Sequence, residues 1–222
     1  MDPIFEAVLQ DDKTLVELLK RSPELSRQRM TQDYLVEKVH WLYVKDTPLH
    51  LAAAALKTAA AMILLKNGAE VNAENRRGAT PLHYACDPRP VSCGARSREQ
   101  QAKLIELLVQ NGAKPNQTDR SGVSPLHRAV RARSAAAVGQ LLKSGAKADL
   151  AVAKKGTTPL HLAVQSTGAG GTAGAVDEQF EIIELLLRYG GDPGAKDSRG
   201  KTVFDWTTND GVIAALRGRK KR

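Results

Sequence analysis

Cysteine is almost missing from this chain. Cys86 and Cys93 are the only two among 222 residues, too few for a disulfide framework and without the C-x-x-C spacing of zinc sites. Long apolar runs are missing as well, and Asp2, Glu6, Asp11 and Asp12 make the start acidic. Neither a signal peptide nor a membrane span is expected, so the expected location is cytoplasmic. Trp, Tyr and Phe together number nine, and three of these lie within residues 34–43. Catalytic signatures are lacking too: there is no Walker-type Lys-Ser/Thr and no H-E-x-x-H. The glycine-rich segment 168–174 follows a helical stretch rather than a strand. Asp177 and Glu178, at the start of the next helix, would repel phosphate, so the segment reads as a loop. No catalytic residue, metal or cofactor is assigned.

What the chain has is repetition. Thr47-Pro48-Leu49-His50, Thr80-Pro81-Leu82-His83, Ser124-Pro125-Leu126-His127 and Thr158-Pro159-Leu160-His161 are near-copies, with a worn one at Thr202-Val203-Phe204-Asp205. They recur at steps of 33, 44, 34 and 44 residues, a unit of about 33 that twice carries an insertion. Thr or Ser can cap a helix, and Pro suits the first helical position because its missing N–H has no partner there. Each copy therefore starts a helix. Leu49, Leu82, Leu126 and Leu160, with Ala52, Ala85, Ala129 and Ala163 three places on, form a packing face where the small Ala admits a neighbouring helix. Cys86 takes an Ala-like place beside this face and reads as a small buried group. Cys93, in an insertion, reads as an exposed thiol. A second helix ends at Gly68, Gly112, Gly145 and Gly190, where a left-handed cap would sit. Gly78, Gly122, Gly156 and Gly200, two places before the next Thr or Ser, mark a turn feeding the next helix.

The T-P-L-H-x-A motif and its 33-residue period closely resemble the ankyrin repeat. The resemblance covers nearly the whole chain. It implies an all-α solenoid of helix–turn–helix repeats with short hairpin or turn fingers. The expected division is one domain over 1–216: an N-terminal repeat with an extended hairpin (1–46), repeats at 47–79, 80–123, 124–157 and 158–201, a C-terminal cap at 202–216, then a basic tail at 217–222. The interrupted helix pairs, with Trp41-Leu42-Tyr43 ahead of the first T-P-L-H, resemble ankyrin proteins of bacteria. In the family the repeated His has a structural hydrogen-bonding role, which His50, His83, His127 and His161 take over here. Repeats spaced by about 8–10 Å are too far apart for two such rings to share a metal.

Function is then read from positions that the repeat leaves open. Net charge is +9, and it is uneven: segment 124–157 has seven basic residues against Asp149, and the tail adds more. The turn tips carry Arg76, Arg77, Arg120, Lys154, Lys155 and Arg199. After the His come Leu51, Tyr84, Arg128 and Leu162, with Arg131 beside Arg128 at i, i+3. A line of cations in the concave groove predicts an acidic protein partner, met by a monomer. A second patch is the alternating stretch within 32–46, an extended hairpin whose Tyr34, Trp41 and Tyr43 are either partner anchors or a lid over the first repeats. The equal insertions at 87–98 and 166–176 are read as loops inside their repeats. The runner-up function is nucleic-acid or polyanion binding by segment 124–157 and the tail, although the aromatics that could stack bases lie at the far end. An enzyme or a regulatory subunit ranks third. In a eukaryote the run at 219–222 would serve nuclear import.

Overall fold

The computed structural model describes residues 2–36, 40–87, 95–165 and 176–218. They form two compact units, 1–114 and 115–222. In the first, α1 (Pro3–Gln10) and α2 (Asp12–Arg21) pair, followed by a 3-10 turn (Pro23–Arg27) and a hairpin of β1 (Tyr34–Val36) and β2 (His40–Leu42). Two more pairs follow, α3 (Pro48–Ala54) with α4 (Thr58–Lys66) and α5 (Pro81–Ala85) with α6 (Ala95–Gln110). The second unit contains α7 (Pro125–Arg131), α8 (Ala135–Lys143), α9 (Pro159–Ala163) and α10 (Val176–Arg188). It ends with a 3-10 turn (Val203–Trp206) and α11 (Asp210–Leu216). Among the described residues no helix is long and apolar enough to cross a membrane.

Each repeated motif starts its helix as the sequence dictates. Thr47, Thr80, Ser124 and Thr158 are extended N-caps with Pro at the first helical position. The His three places on completes a capping box, its ring replacing the usual Glu. Helices of five to seven residues are too short to stand alone, so packing holds them. Leu49, Leu82 and Leu160 are fully buried, as are Ala52, Ala85, Ala129 and Ala163, and Leu126 is 1% exposed. Within the first unit α3 packs on α1 and α5, and within the second α7 packs on α9 and α8 on α10. Cys86 is buried, as its Ala-like place requires.

The turn before each helix brings neighbouring repeats very close. Gly156 has φ +62°, and a Cβ there would stand 2.8 Å from the backbone N of Ser198. The Ser198 N–H donates to the Lys155 carbonyl at 2.9 Å. No other residue type fits this turn without pushing the next one away.

The insertions depart from the expected bounds. Helix α6 begins at Ala95 and α10 at Val176, so 95–98 belong to a helix rather than to a loop. Strong helix formers there (Arg96, Arg98, Glu99, Gln100) extend α6 backwards by a turn. Residues 88–94 and 166–175, which include Arg89, Cys93 and the glycine-rich segment, lie outside the described residues. In both insertion repeats the first helix has five residues instead of seven. A buried Gln from the second helix serves its open end: Gln101 Nε2 donates to Ala85 O and Gln179 Nε2 to Ala163 O, both at 2.8 Å. Arg133 adds Nη1 to Ala163 O at 2.8 Å and Nη2 to the Gln165 carbonyl. Its burial pushes the guanidinium below its ordinary pKa.

Candidate functional site: turn tips, repeat histidines and hairpin

Four histidines cap the repeated helices, and three of them, His50, His127 and His161, are also mortar between repeats. Each Nδ1 receives its own N-cap backbone N–H, at 3.1 Å for Thr47, 3.1 Å for Thr80, 3.3 Å for Ser124 and 3.2 Å for Thr158. An Nδ1 that accepts carries no proton, so the proton is on Nε2. Nε2 donates to the carbonyl just before the next N-cap: Ala79 for His50 (3.1 Å), Thr157 for His127 (3.4 Å), Lys201 for His161 (3.2 Å). With both nitrogens so engaged, the rings of His50, His127 and His161 are not free to ligate a metal. In the worn copy Asp205 Oδ2 accepts from the N–H and hydroxyl of Thr202, both at 2.8 Å. A carboxylate reproduces the accepting half of the His and none of the donating half. Burial pushes the His127 imidazole down to about 4, against the pull of the Thr157 carbonyl and the Asp119 charge.

In the first unit the position after the His is not open to a partner, contrary to expectation. Leu51 is fully buried and Tyr84 1% exposed. The Tyr84 hydroxyl donates to Asp46 Oδ2 at 2.7 Å and Asn75 Nδ2 donates to that hydroxyl at 3.1 Å. Tyr84 is therefore withdrawn as a contact residue: its ring fills the core and its hydroxyl serves a buried carboxylate. Arg128 is corrected in the same sense. Its Nη2 meets Asp119 Oδ2 at 2.9 Å, with side chains only 13% and 8% exposed. Burial pushes the Asp119 carboxyl up, but Arg128 and the Val123 and Ser121 N–H groups outweigh this and hold it below the usual carboxylate range. Trp206 repeats the arrangement, its Nε1 donating to Asp197 Oδ2 at 3.2 Å. Asp197 is buried, which raises its pKa; the Lys201 and Arg199 N–H groups and the Arg199 and Trp206 side chains prevail and bring it to about 2.

A rule of spacing underlies these three locks. An Asx residue five places before the N-cap folds the tip, accepting N–H groups two and four residues on: Asn75 from Arg77 and Ala79, Asp119 from Ser121 and Val123, Asp197 from Arg199 and Lys201. Nine residues after the Asx stands its partner, Tyr84, Arg128 or Trp206. The remaining tip has Val152 and Ala153 there and Leu162 on the helix, apolar throughout. The spacing is visible in the sequence itself.

The hairpin forms as expected, with its two faces divided. Register pairs Leu35 with Trp41, Tyr34 with Leu42 and Val36 with His40, and directly paired residues share a face. Leu42 is fully buried and Val36 7% exposed, whereas Leu35 and Trp41 stand 45% and 40% exposed and Tyr34 39%. Leu42 and Val36 make the lid; Trp41 points away from it. The base of the hairpin also holds the first basic tip. Arg76 pairs with Asp33, its N–H donates to the Val44 carbonyl at 2.9 Å, and the Arg77 guanidinium lies 4.0 Å from the centre of the Tyr43 ring. Arg76, Arg77 and Tyr43 thus form one cluster held within the first unit, with both arginines still exposed to solvent.

The tips of the second unit differ. Arg120, Lys154 and Lys155 are exposed, and their side chains have no ion-pair partner among the described residues. Arg199 binds Asp197 through Nε (3.2 Å) and Nη2 (3.1 Å) and lies 5.5 Å from the Trp206 ring, yet its side chain remains 64% exposed. Arg131, also exposed, ends α7. Residues 219–222 of the tail lie outside the described residues.

Together, the short Pro-started helices, the His mortar and the Asx tips define a protein of tandem turn–helix–helix repeats. The chain belongs to the ankyrin-repeat family: the family described as "Ankyrin repeats (3 copies)" matches residues 4–93 and 94–197. It is similar to mouse Ankyrin repeat and SOCS box protein 16, with 34% identity over 72% of this chain and 24% of that protein. It is also similar to the mouse B-cell lymphoma 3 protein homolog, with 28% identity over 78% of this chain and 35% of the other. A shorter match, 42% identical, covers 32% of this chain and 8% of human ARF GTPase-activating protein GIT1. The chain thus spans about a third or less of these relatives. Ankyrin repeats are protein-interaction modules.

Proposed function

We propose that this chain binds an acidic segment of another protein through the tip edge of its second unit, and performs no chemistry on it. The observation that carries the reading is that Arg120, Lys154 and Lys155 are exposed without an ion-pair partner among the described residues, beside the 64% exposed Arg199, on tips that touch one another within that unit. Such a row draws an acidic surface in and sets the rate of arrival more than the final affinity. Arg131 borders the row. The outer face of the hairpin, Leu35 and Trp41, with the exposed Tyr34 at the edge of the opposite face, is a separate aromatic and apolar anchor in the first unit. Affinity capture with wild type and with Lys154→Glu/Lys155→Glu, each at low and raised salt, tests the reading: acidic proteins held by the wild type should be lost on reversal. A polyanion would use the same cations, but its binding would fall with a steep linear dependence on log salt. Capture dominated by nucleic acid, or unaltered by the reversal, would refute the acidic-protein reading.

A further inference from the structure

We propose that the tip edge of the second unit selects a polyproline-II segment with a carboxylate at every third residue. This deepens the reading above and rests on it. Counted back from the N-caps Ser124, Thr158 and Thr202, Arg120 and Lys154 stand four places before, Lys155 and Arg199 three. The middle tip holds both positions, so it shares one row with the tip before it and one with the tip after it. The tips are in contact: Ser198 N–H bonds Lys155 O at 2.9 Å, and a Cβ on Gly122 would lie 3.1 Å from Ala153 N. From one repeat to the next is a helix-packing step of about 8–10 Å.

The spacing discriminates between backbone conformations. A polyproline-II chain has three residues per turn and a rise of about 3.1 Å, so side chains at i, i+3 and i+6 share one face at about 9 Å intervals. That matches the tip step. A β-strand turns residue i+3 to its opposite face, and its same-face neighbours fall at about 7 and 13 Å, which miss the step. An α-helix reaches the step only at i+7 and brings a body about 10 Å across. The last cation supplies a further reason for polyproline II. Arg199 lies 5.5 Å from the Trp206 ring centre, and Trp206 is half-buried; prolines dock on aromatic rings of this kind. Asp197 takes Nε and Nη2 of Arg199, and Nη1 is left for a carboxylate.

Fluorescence anisotropy with the full chain tests this. The probes are a labelled peptide of three Glu-Pro-Pro triplets, a peptide of the same composition with its glutamates in one block, three Lys-Pro-Pro triplets, and a single-stranded oligonucleotide. The Glu-Pro-Pro peptide should bind at least ~10-fold more tightly than the block peptide and lose at least ~10-fold with Lys154→Glu/Lys155→Glu, a variant checked for folding by circular dichroism. Equal binding of the two acidic peptides overturns the three-residue register and leaves the acidic-partner reading standing. Binding of neither, or binding no better than the Lys-Pro-Pro peptide, overturns both. Tighter binding of the oligonucleotide, with a steep salt slope, replaces both with polyanion recognition.

Discussion

The tip at 75–78 and the tips at 119–122, 152–156 and 197–200 are versions of one turn put to different uses. In the first unit Arg76 and Arg77 face inwards chemically: Asp33 takes one and the Tyr43 ring the other. In the second unit Arg120, Lys154 and Lys155 occupy equivalent places and are exposed as Arg76 and Arg77 are, but they have no such partner among the described residues. The hairpin makes the difference, since it supplies both the carboxylate and the ring. A basic residue at a repeat's tip is therefore most available where its own unit leaves it unpaired, as at Arg120, Lys154 and Lys155; Arg199, held by Asp197 and the Trp206 ring, still keeps 64% of its side chain in solvent.

The largest expected effect concerns how firmly the hairpin is fastened. Leu42→Ala should destabilise by roughly 2–5 kcal/mol, because it empties a fully buried site. Trp41→Ala, on the exposed face, should change stability by less than about 1 kcal/mol. Urea melts read both; a larger loss for Trp41 would make the outer face the lid and dissolve the distinction between hairpin faces.

The next effect is acid sensitivity arising from the second unit. His127 is held near 4 when folded, against an ordinary 6.5. Between these values the unfolded chain binds a proton that the folded chain refuses, so stability rises with pH. Stability should fall by up to roughly 3 kcal/mol as pH drops from 6.5 to 4, and His127→Gln should flatten that part of the profile. A wild-type profile already flat there would mean that the ring is protonated in the folded state.

The Asx locks should be worth less. Tyr84→Phe keeps the ring but deprives Asp46 and Asn75 of a buried partner, costing about 1–3 kcal/mol. Losing the Arg77 stack on Tyr43 should cost only about 0.5–1 kcal/mol, and Lys155→Ala, which removes no ion pair among the described residues, should leave the melting midpoint unmoved. If Lys155→Ala proved as destabilising as Arg77→Ala, the contrast between the two sets of tips would fail.

Much of this was legible in the residues. The Thr-Pro-Leu-His copies announced helix starts, and the Gly positions announced caps and turns, because each rests on a local backbone preference that packing did not overrule. Tyr84 and Arg128 were misjudged for the opposite reason. Their burial depends on Asn75 and Asp119 nine residues earlier, and motif reading looks along the repeat without asking what a tip folds against. The sequence left Trp41 open between lid and anchor because alternation reveals that a strand has two faces and not which of them meets the core. The roles of Gln101, Gln179 and Arg133 depend on the shortened first helices, which the T-P-L-H motif does not report.

The claim that the second unit's tips, and not the first unit's, meet the partner is open to one direct measurement. Stopped-flow association of a fluorescein-labelled polyglutamate peptide would be followed for wild type, Lys154→Glu/Lys155→Glu and Arg76→Glu/Arg77→Glu over a range of salt. Reversal in the second unit should slow association by about 10-fold or more and flatten its salt dependence, while reversal in the first should leave the rate within about twofold. Equal slowing by the two variants, or a greater effect from Arg76→Glu/Arg77→Glu, would contradict the account.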